Sequence, residues 1–189
     1  YALKANPAVP IVRELAKHLD GVDIASGGEA KIVLEAGSAI ESASFAGPAK
    51  SNRELEYVIS QGIGLISVES VNELIRIQSI AEELGAIQDI VVRVNPDSPI
   101  QQYSLKMGGV ASPFGIDNEQ LEEFFGKLPH CPNLQFKGVH VYSGTQCLDS
   151  LSLIRNFEDV FGVARQVEEE FGQKVAIINF GGGFGIPYF

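Results

Sequence analysis

Gly138-Val139-His140-Val141-Tyr142-Ser143-Gly144-Thr145-Gln146 decides the fold, because an apolar strand turns there abruptly into small polar residues. Strands that carry unusual residues at their carboxyl ends belong to parallel α/β sheets, where ligands sit outside those ends. The pattern recurs outward in both directions. Lys4, Asp23–Ser26, Ala46–Pro48, Glu69, Arg93–Asn95 and Gly181–Gly183 all fall where a β-rich run gives way to a loop or helical pattern. An open doubly wound sheet would gather only the groups flanking its switch point. A barrel rings one site with all of them, so the expected architecture is a (β/α)8 TIM barrel, here incomplete, with about seven βα units.

The strand candidates are Tyr1–Lys4, Val22–Ala25, Ser42–Ala46, Leu65–Val68, Ile90–Val94, Phe136–Tyr142 and Ala176–Phe180. Apolar residues at helical spacing mark Val9–Leu19, Glu29–Ala36, Arg53–Ile59, Val71–Leu84, Glu119–Leu128 and Leu151–Phe171. Strand and helix in alternation mean a parallel sheet. Gly21, Gly37, Gly62, Gly85 and Gly172 punctuate the boundaries. The longest stretch without a regular pattern runs from Asn95 to Gly115; its Lys106-Met107-Gly108-Gly109 reads equally as a lid over a substrate and as a surface excursion.

The 189 residues are 45% hydrophobic, which suits one globular domain with a sizeable core. A formal net charge of −10, dispersed through helical segments, argues against a nucleic-acid partner. No apolar run approaches the roughly 18 residues of a membrane helix. The start at Tyr1 has neither a basic leader nor an initiator Met, so the chain is expected to begin mid-protein. Two cysteines, Cys131 and Cys147, make no disulfide framework and lack metal spacing, so a cytoplasmic setting and no metal are expected.

Four places carry chemistry. Lys4 closes the apolar start Tyr1-Ala2-Leu3, and a desolvated neutral amine there would form an imine with an aldehyde; a solvated or acid-paired lysine is the commoner reading. Asn179-Phe180-Gly181-Gly182-Gly183-Phe184-Gly185 offers backbone amides to an anion after the seventh strand, a habitual phosphate position in barrels, although a flexible turn would use the same glycines. Neither G-x-G-x-x-G nor G-x-x-x-x-G-K occurs, so a single phosphate is favoured over a dinucleotide or Mg-ATP. His140 at the barrel mouth is placed to stack on a flat cofactor, with Ser143 and Gly144 as donors to its phosphate, or is a structural histidine. Asp23 and Glu29 belong to Asp23-Ile24-Ala25-Ser26-Gly27-Gly28-Glu29, where an acid pair at a helix N-terminus is the plain alternative.

Together these segments resemble the barrel of the fold-type III pyridoxal-phosphate (PLP) decarboxylases, the family of diaminopimelate, ornithine and arginine decarboxylases, which is distantly related to alanine racemase. The resemblance spans the chain in order: Tyr1-Ala2-Leu3-Lys4-Ala5-Asn6, Asp23 through Glu29, Phe45-Ala46-Gly47-Pro48-Ala49-Lys50, Val68-Glu69-Ser70, Arg93-Val94-Asn95-Pro96, Phe114-Gly115-Ile116, Gly138-Val139-His140 with Ser143-Gly144, and Asn179 through Gly185. It implies that Lys4 carries PLP as a Schiff base, that His140 stacks on the pyridine face, and that Ser143 with Gly181, Gly182 and Gly183 holds the phosphate. It places Asp23, Glu29 and Arg93 in an orienting shell. Leu105 through Gly109 and the ending Gly185-Ile186-Pro187-Tyr188-Phe189 look most like a bacterial biosynthetic subgroup that includes exosortase-associated decarboxylases and decarboxylases of carrier-protein-bound amino acids. Ser112-Pro113-Phe114 departs from relatives that place a basic residue directly before Phe-Gly.

The resemblance makes residues 1–189 a PLP-binding barrel domain in truncated form. The family's N-terminal strand, eighth unit, acidic partner of the pyridine nitrogen and C-terminal β-domain are expected to lie outside it. It implies PLP-dependent decarboxylation of a small amino-acid substrate by a cytoplasmic homodimer. A racemase on the same barrel and a non-catalytic decarboxylase-like regulator are the alternatives; intact Lys4 and Gly181–Gly183 speak against the second.

Overall fold

The computed structural model describes residues 1–95, the backbone of 105–106, and 113–187. The expected lid at Lys106–Gly109 therefore lies largely outside the described residues, as do Pro96, Ser112, Tyr188 and Phe189. The strands are β1 (Val22–Ile24), β2 (Ala43–Phe45), β3 (Leu65–Val68), β4 (Gln88–Asn95), β5 (Leu105–Lys106), β6 (Ile116–Asp117), β7 (Leu134–Val141), β8 (Gly144–Thr145) and β9 (Ile177–Asn179). The helices are α1 (Val9–Leu15), α2 (Gly27–Glu35), α3 (Asn52–Ser60), α4 (Val71–Glu83), α5 (Leu121–Lys127) and α6 (Ser150–Phe171).

Strand order in the main sheet is β1-β2-β3-β4-β7-β9, parallel throughout, with β6 added to the end of β4. The order follows the chain without reversal, so there is no switch point of the kind that defines an open doubly wound sheet. Parallel strands in chain order joined by helical crossovers form an incomplete (β/α)8 barrel wall, for which right-handed crossovers are the rule. The antiparallel pair β5-β8 stands apart from it.

The pleat sorts residues by chemistry. Ile66, Val68, Ile90, Val92, Val94, Val139 and Val141 form a continuous buried apolar layer with core residues of the helices such as Leu55, Leu74, Ile77 and Val160. The alternate positions bear Asp23, Ser44, Ser67, Arg93, His140 and Asn179. Register then sets them in rows: Asp23 pairs with Ser44, and Arg93 with His140, which pairs in turn with Asn179.

Three helices start with the same device. Ser26, Ser51 and Ser70 are N-caps whose side chains accept the backbone N–H of Glu29, Glu54 and Glu73, three residues on. The Ser51–Glu54 pair completes a reciprocal capping box.

Some boundaries differ from expectation. Tyr1–Lys4 is not a strand: only Ala2 bridges to Asp23, and Leu3–Ala5 is a 3-10 turn. Asn6-Pro7 lies directly behind, and a proline removes a ladder donor and restricts the residue before it. Helix α1 ends at Leu15 rather than Leu19, and α5 is a short helix flanked by 3-10 turns at Asn118–Gln120 and Leu128–His130. Pro129 accounts for the second turn, since it cannot donate to an α-helical ladder.

Candidate active site

A cavity of about 490 Å³ opens at the carboxyl ends of the strands. Lys4, Asp23, Glu29, Arg93, His140 and Gly181 all line it, together with Ala46–Ala49, Phe114, Tyr142 and Asn179. Six of the nine residues singled out from the sequence therefore converge. Gly182, Gly183 and Ser143 do not line it.

Lys4 is exposed and makes no salt bridge to a described residue; its Nζ stands 5.5 Å from the centre of the Tyr142 ring. Nearby carboxylates are engaged elsewhere. Asp23 accepts the Ser44 hydroxyl at 2.6 Å, and burial pushes its carboxyl above the ordinary aspartate range against the pull of Ser44, Lys4 and Arg93. Glu29 accepts the Ala25 N–H at 2.6 Å, which is the helix-terminus role anticipated for it, played within the cavity wall.

His140 is buried, and Ser67 Oγ lies 2.8 Å from its Nδ1. Burial, reinforced by the charges of Arg93, Lys50 and Lys4, drives its pKa down to about 3. The ring is therefore neutral at physiological pH, a flat polarisable surface and not a cation.

Arg93 is buried too. Its Nη1 donates to both oxygens of Glu69 at 3.0 Å, and its guanidinium carbon lies 5.0 Å from the Phe114 ring centre and 5.7 Å from that of Tyr142. Glu69 further accepts from the amides of Gly47 and Gly115.

The glycine run adopts the backbone that only glycine favours, with φ of 70°, 96° and 97° at Gly181, Gly182 and Gly183. A Cβ on Gly181 would stand 2.6 Å from Tyr142 Cδ2. The Gly181 amide is already given to Asn179 Oδ1, whereas the amides of Gly182 and Gly183 make no hydrogen bond to a described residue. Ser143 is buried with its hydroxyl donated to Asn156.

The residues present fit PLP: Lys4, which makes no ion pair to a described residue, the neutral His140 ring and the half-buried carboxylates of Asp23 and Glu29 share one mouth, and the Gly182 and Gly183 amides, which meet no described acceptor, follow directly on Gly181 of its lining. The whole chain, residues 1–189, matches the model of the pyridoxal-dependent decarboxylases, pyridoxal-binding domain. The chain belongs to that family. It is 36% identical to the L-glutamyl-[BtrI acyl-carrier protein] decarboxylase of Niallia circulans, and 33% identical to the diaminopimelate decarboxylase of Neisseria meningitidis serogroup A. All of this chain is covered, against 44% and 46% of those two proteins, so it spans about half the length of the curated relatives it matches. Among solved structures, Helicobacter pylori diaminopimelate decarboxylase complexed with L-lysine superposes with a TM-score of 0.90 at 31% identity, covering 100% of this chain and 48% of that one. The fold of the decarboxylase half-barrel is thus shared in full.

The sequence reading of this pyridoxal-binding domain passed over Ser44, Ser67, Lys50, Glu73 and Tyr142 as site components. The recurrent Ser-x-x-Glu at strand-to-helix junctions was the available signal for Glu73, since it marks Glu29, Glu54 and Glu73 alike. The contacts of Ser44, Ser67 and Tyr142 depend on inter-strand register, which no local pattern encodes.

No helix among the described residues is long and apolar enough to cross a membrane. Cys131 and Cys147 are both buried and free.

Proposed function

We propose that this chain is the cofactor-binding part of a PLP-dependent amino-acid decarboxylase, with Lys4 carrying the cofactor through Nζ as a Schiff base. The observation that carries the reading is the convergence, in one cavity, of Lys4, unpaired among the described residues, and a buried neutral His140, with Gly181 in the same lining and the Gly182 and Gly183 amides after it meeting no described acceptor. When bound, PLP supplies the electron sink that lets the bond from Cα to the substrate carboxylate break with release of carbon dioxide.

The chain's own groups bind and orient. Gly182 and Gly183 would hold the phosphate through their amides, and Ser143 would join them if its hydroxyl turned from Asn156. His140 offers its ring face while Ser67 fixes the ring plane. Asp23, Glu29 and Arg93 form the surrounding polar shell. Arg93 is neutralised by Glu69, so the site presents little free positive charge to hold a departing carboxylate. The names of the relatives point to diaminopimelate or a carrier-bound amino acid as the substrate class, and the reading includes a cytoplasmic homodimer.

The test is the visible absorbance of the full-length protein with added PLP, before and after borohydride reduction. A band that reduction fixes covalently to Lys4, and that Lys4→Ala lacks, is the expected result. No such band in the full-length protein sinks the cofactor attachment. Carbon dioxide release from candidate amino acids then separates decarboxylation from racemisation, in which the carboxylate stays on the amino acid and chirality is lost.

A further inference from the structure

Lys50 and Glu73 form an ion pair at 2.8 Å with side chains only 1% and 2% exposed. Neither lines the cavity. A buried pair of this kind contributes little net stability, since an apolar pair of the same volume serves a fold as well or better. Its position calls for another explanation.

The pair sits directly behind the cavity wall. Lys50 Nζ also donates to the Gly47 carbonyl at 2.5 Å, and Glu73 accepts the Glu69 amide at 2.7 Å. Glu69 in turn accepts from Gly47 N–H at 2.5 Å, from Gly115 N–H at 3.3 Å and from Arg93. Both backbone groups of Gly47 are thereby held by side chains of the same network, at a φ of 136° that glycine alone tolerates. Three separate parts of the wall, Gly47–Ala49, Arg93 and Phe114, are tied to one carboxylate, and that carboxylate is aimed by Glu73 and Lys50. Glu69 is paired with Arg93 and Glu73 with Lys50, with Arg76 at the edge 3.9 Å from Glu73, so Arg93 reaches the cavity already neutralised.

We propose that Lys50 and Glu73 are positioning residues that act through Glu69 to set Arg93 and the Gly47–Ala49 wall for the cofactor. The inference rests on the PLP reading of the cavity. It explains why a fully buried lysine is kept beside the site when packing does not require one.

The deciding variant is Lys50→Met with Glu73→Met in the full-length protein, which replaces the pair by apolar groups of similar size. Circular dichroism and the melting temperature of the PLP-free protein report the fold, and absorbance titration reports PLP affinity. The fold is expected to stand while PLP binds on the order of tenfold more weakly, by analogy with the loss seen when an outer-shell partner of a metal ligand is removed. A folded double variant with wild-type affinity overturns the inference, because the pair would then be packing alone. Should the double variant fail to fold, Glu73→Gln decides: it keeps an acceptor for the Glu69 amide but unbalances Lys50, and a folded variant with unchanged affinity refutes the role. If the wild-type protein binds no PLP, the reading of the cavity fails first, and that result is distinct from either variant outcome.

Discussion

Acid should destabilise this chain through His140, and the size of the effect follows from its burial. The imidazole has an ordinary pKa near 6.5 in the unfolded chain and about 3 in the fold, with burial as the first cause and the charges of Arg93, Lys50 and Lys4 behind it. Between those values the unfolded state holds a proton that the folded state refuses. The stability that neutral His140 contributes is therefore fully present above pH ~6.5 and declines as pH falls toward 3. Each pH unit in that window is worth about 1.4 kcal/mol, so lowering pH from 6.5 to 4.5 removes about 3 kcal/mol. Asp23 and Glu73 act in the opposite sense, because burial raises their carboxyls and protonation favours the fold. The measurement is accordingly a difference. Urea unfolding followed by circular dichroism, from pH 7.5 to 4.5, is compared between the chain and His140→Asn, which keeps a polar atom near Nδ1 for Ser67 but does not titrate. The wild-type curve should lose about 3 kcal/mol more than the variant's over that range. Parallel curves would refute the account of a neutral ring held at the site by burial.

Three further outcomes follow from the geometry. Gly181→Ala forces a Cβ to 2.6 Å from Tyr142 Cδ2 and 2.7 Å from the Val141 carbonyl at a φ of 70°; about 2 kcal/mol of stability and most of the PLP affinity should go, read by denaturation and titration. Gly138→Ala sets a Cβ 1.9 Å from the Ile177 carbonyl across the β7–β9 pair, so loss of at least about 3 kcal/mol or outright failure to fold is expected by the same denaturation assay. Glu54→Ala removes the acceptor of the Ser51 and Gly27 amides and should cost about 1–2 kcal/mol in urea without changing PLP affinity, because Glu54 does not line the cavity.

The barrel was legible because the chemistry-bearing residues sit at strand ends, and strand ends show in a sequence as apolar runs that stop. The row Arg93–His140–Asn179 is three such ends brought level by register. What stayed hidden was local strain and long-range pairing. Tyr1–Lys4 has the composition of a strand, yet Asn6-Pro7 leaves it a single bridge at Ala2 before a 3-10 turn. Ser143 follows the strand of His140 and is small and polar, which suggested a phosphate donor. Its hydroxyl also meets Asn156 on α6, 13 residues along, a contact fixed by where the helix packs. Lys50 stands in the sequence only as the end of Phe45–Lys50, without a role; the fold brings Glu73 to it and removes both from water.

The acids around the cavity are arranged so that, among the described residues, none pairs with Lys4. An exposed lysine among three acids would ordinarily be drawn into an ion pair, and a paired ammonium is a poor nucleophile. Here each acid is engaged before it can reach Lys4: Asp23 by Ser44, Glu29 by the Ala25 amide, and Glu69 by Arg93 and two glycine amides. His140 cannot compete by charge, because it is neutral. Freeing one acid should therefore matter more than deleting it. Ser44→Ala leaves the half-buried Asp23 short of its hydroxyl partner, and the charge of Lys4 already acts on that carboxyl. Lys4 should then turn toward Asp23, and PLP attachment, measured as the borohydride-fixed product over time, should slow in Ser44→Ala. The double change Ser44→Ala with Asp23→Asn removes the competing charge and should restore the rate of attachment toward that of Asp23→Asn alone. Equal rates in the wild type and Ser44→Ala would show that the carboxylates do not control the lysine.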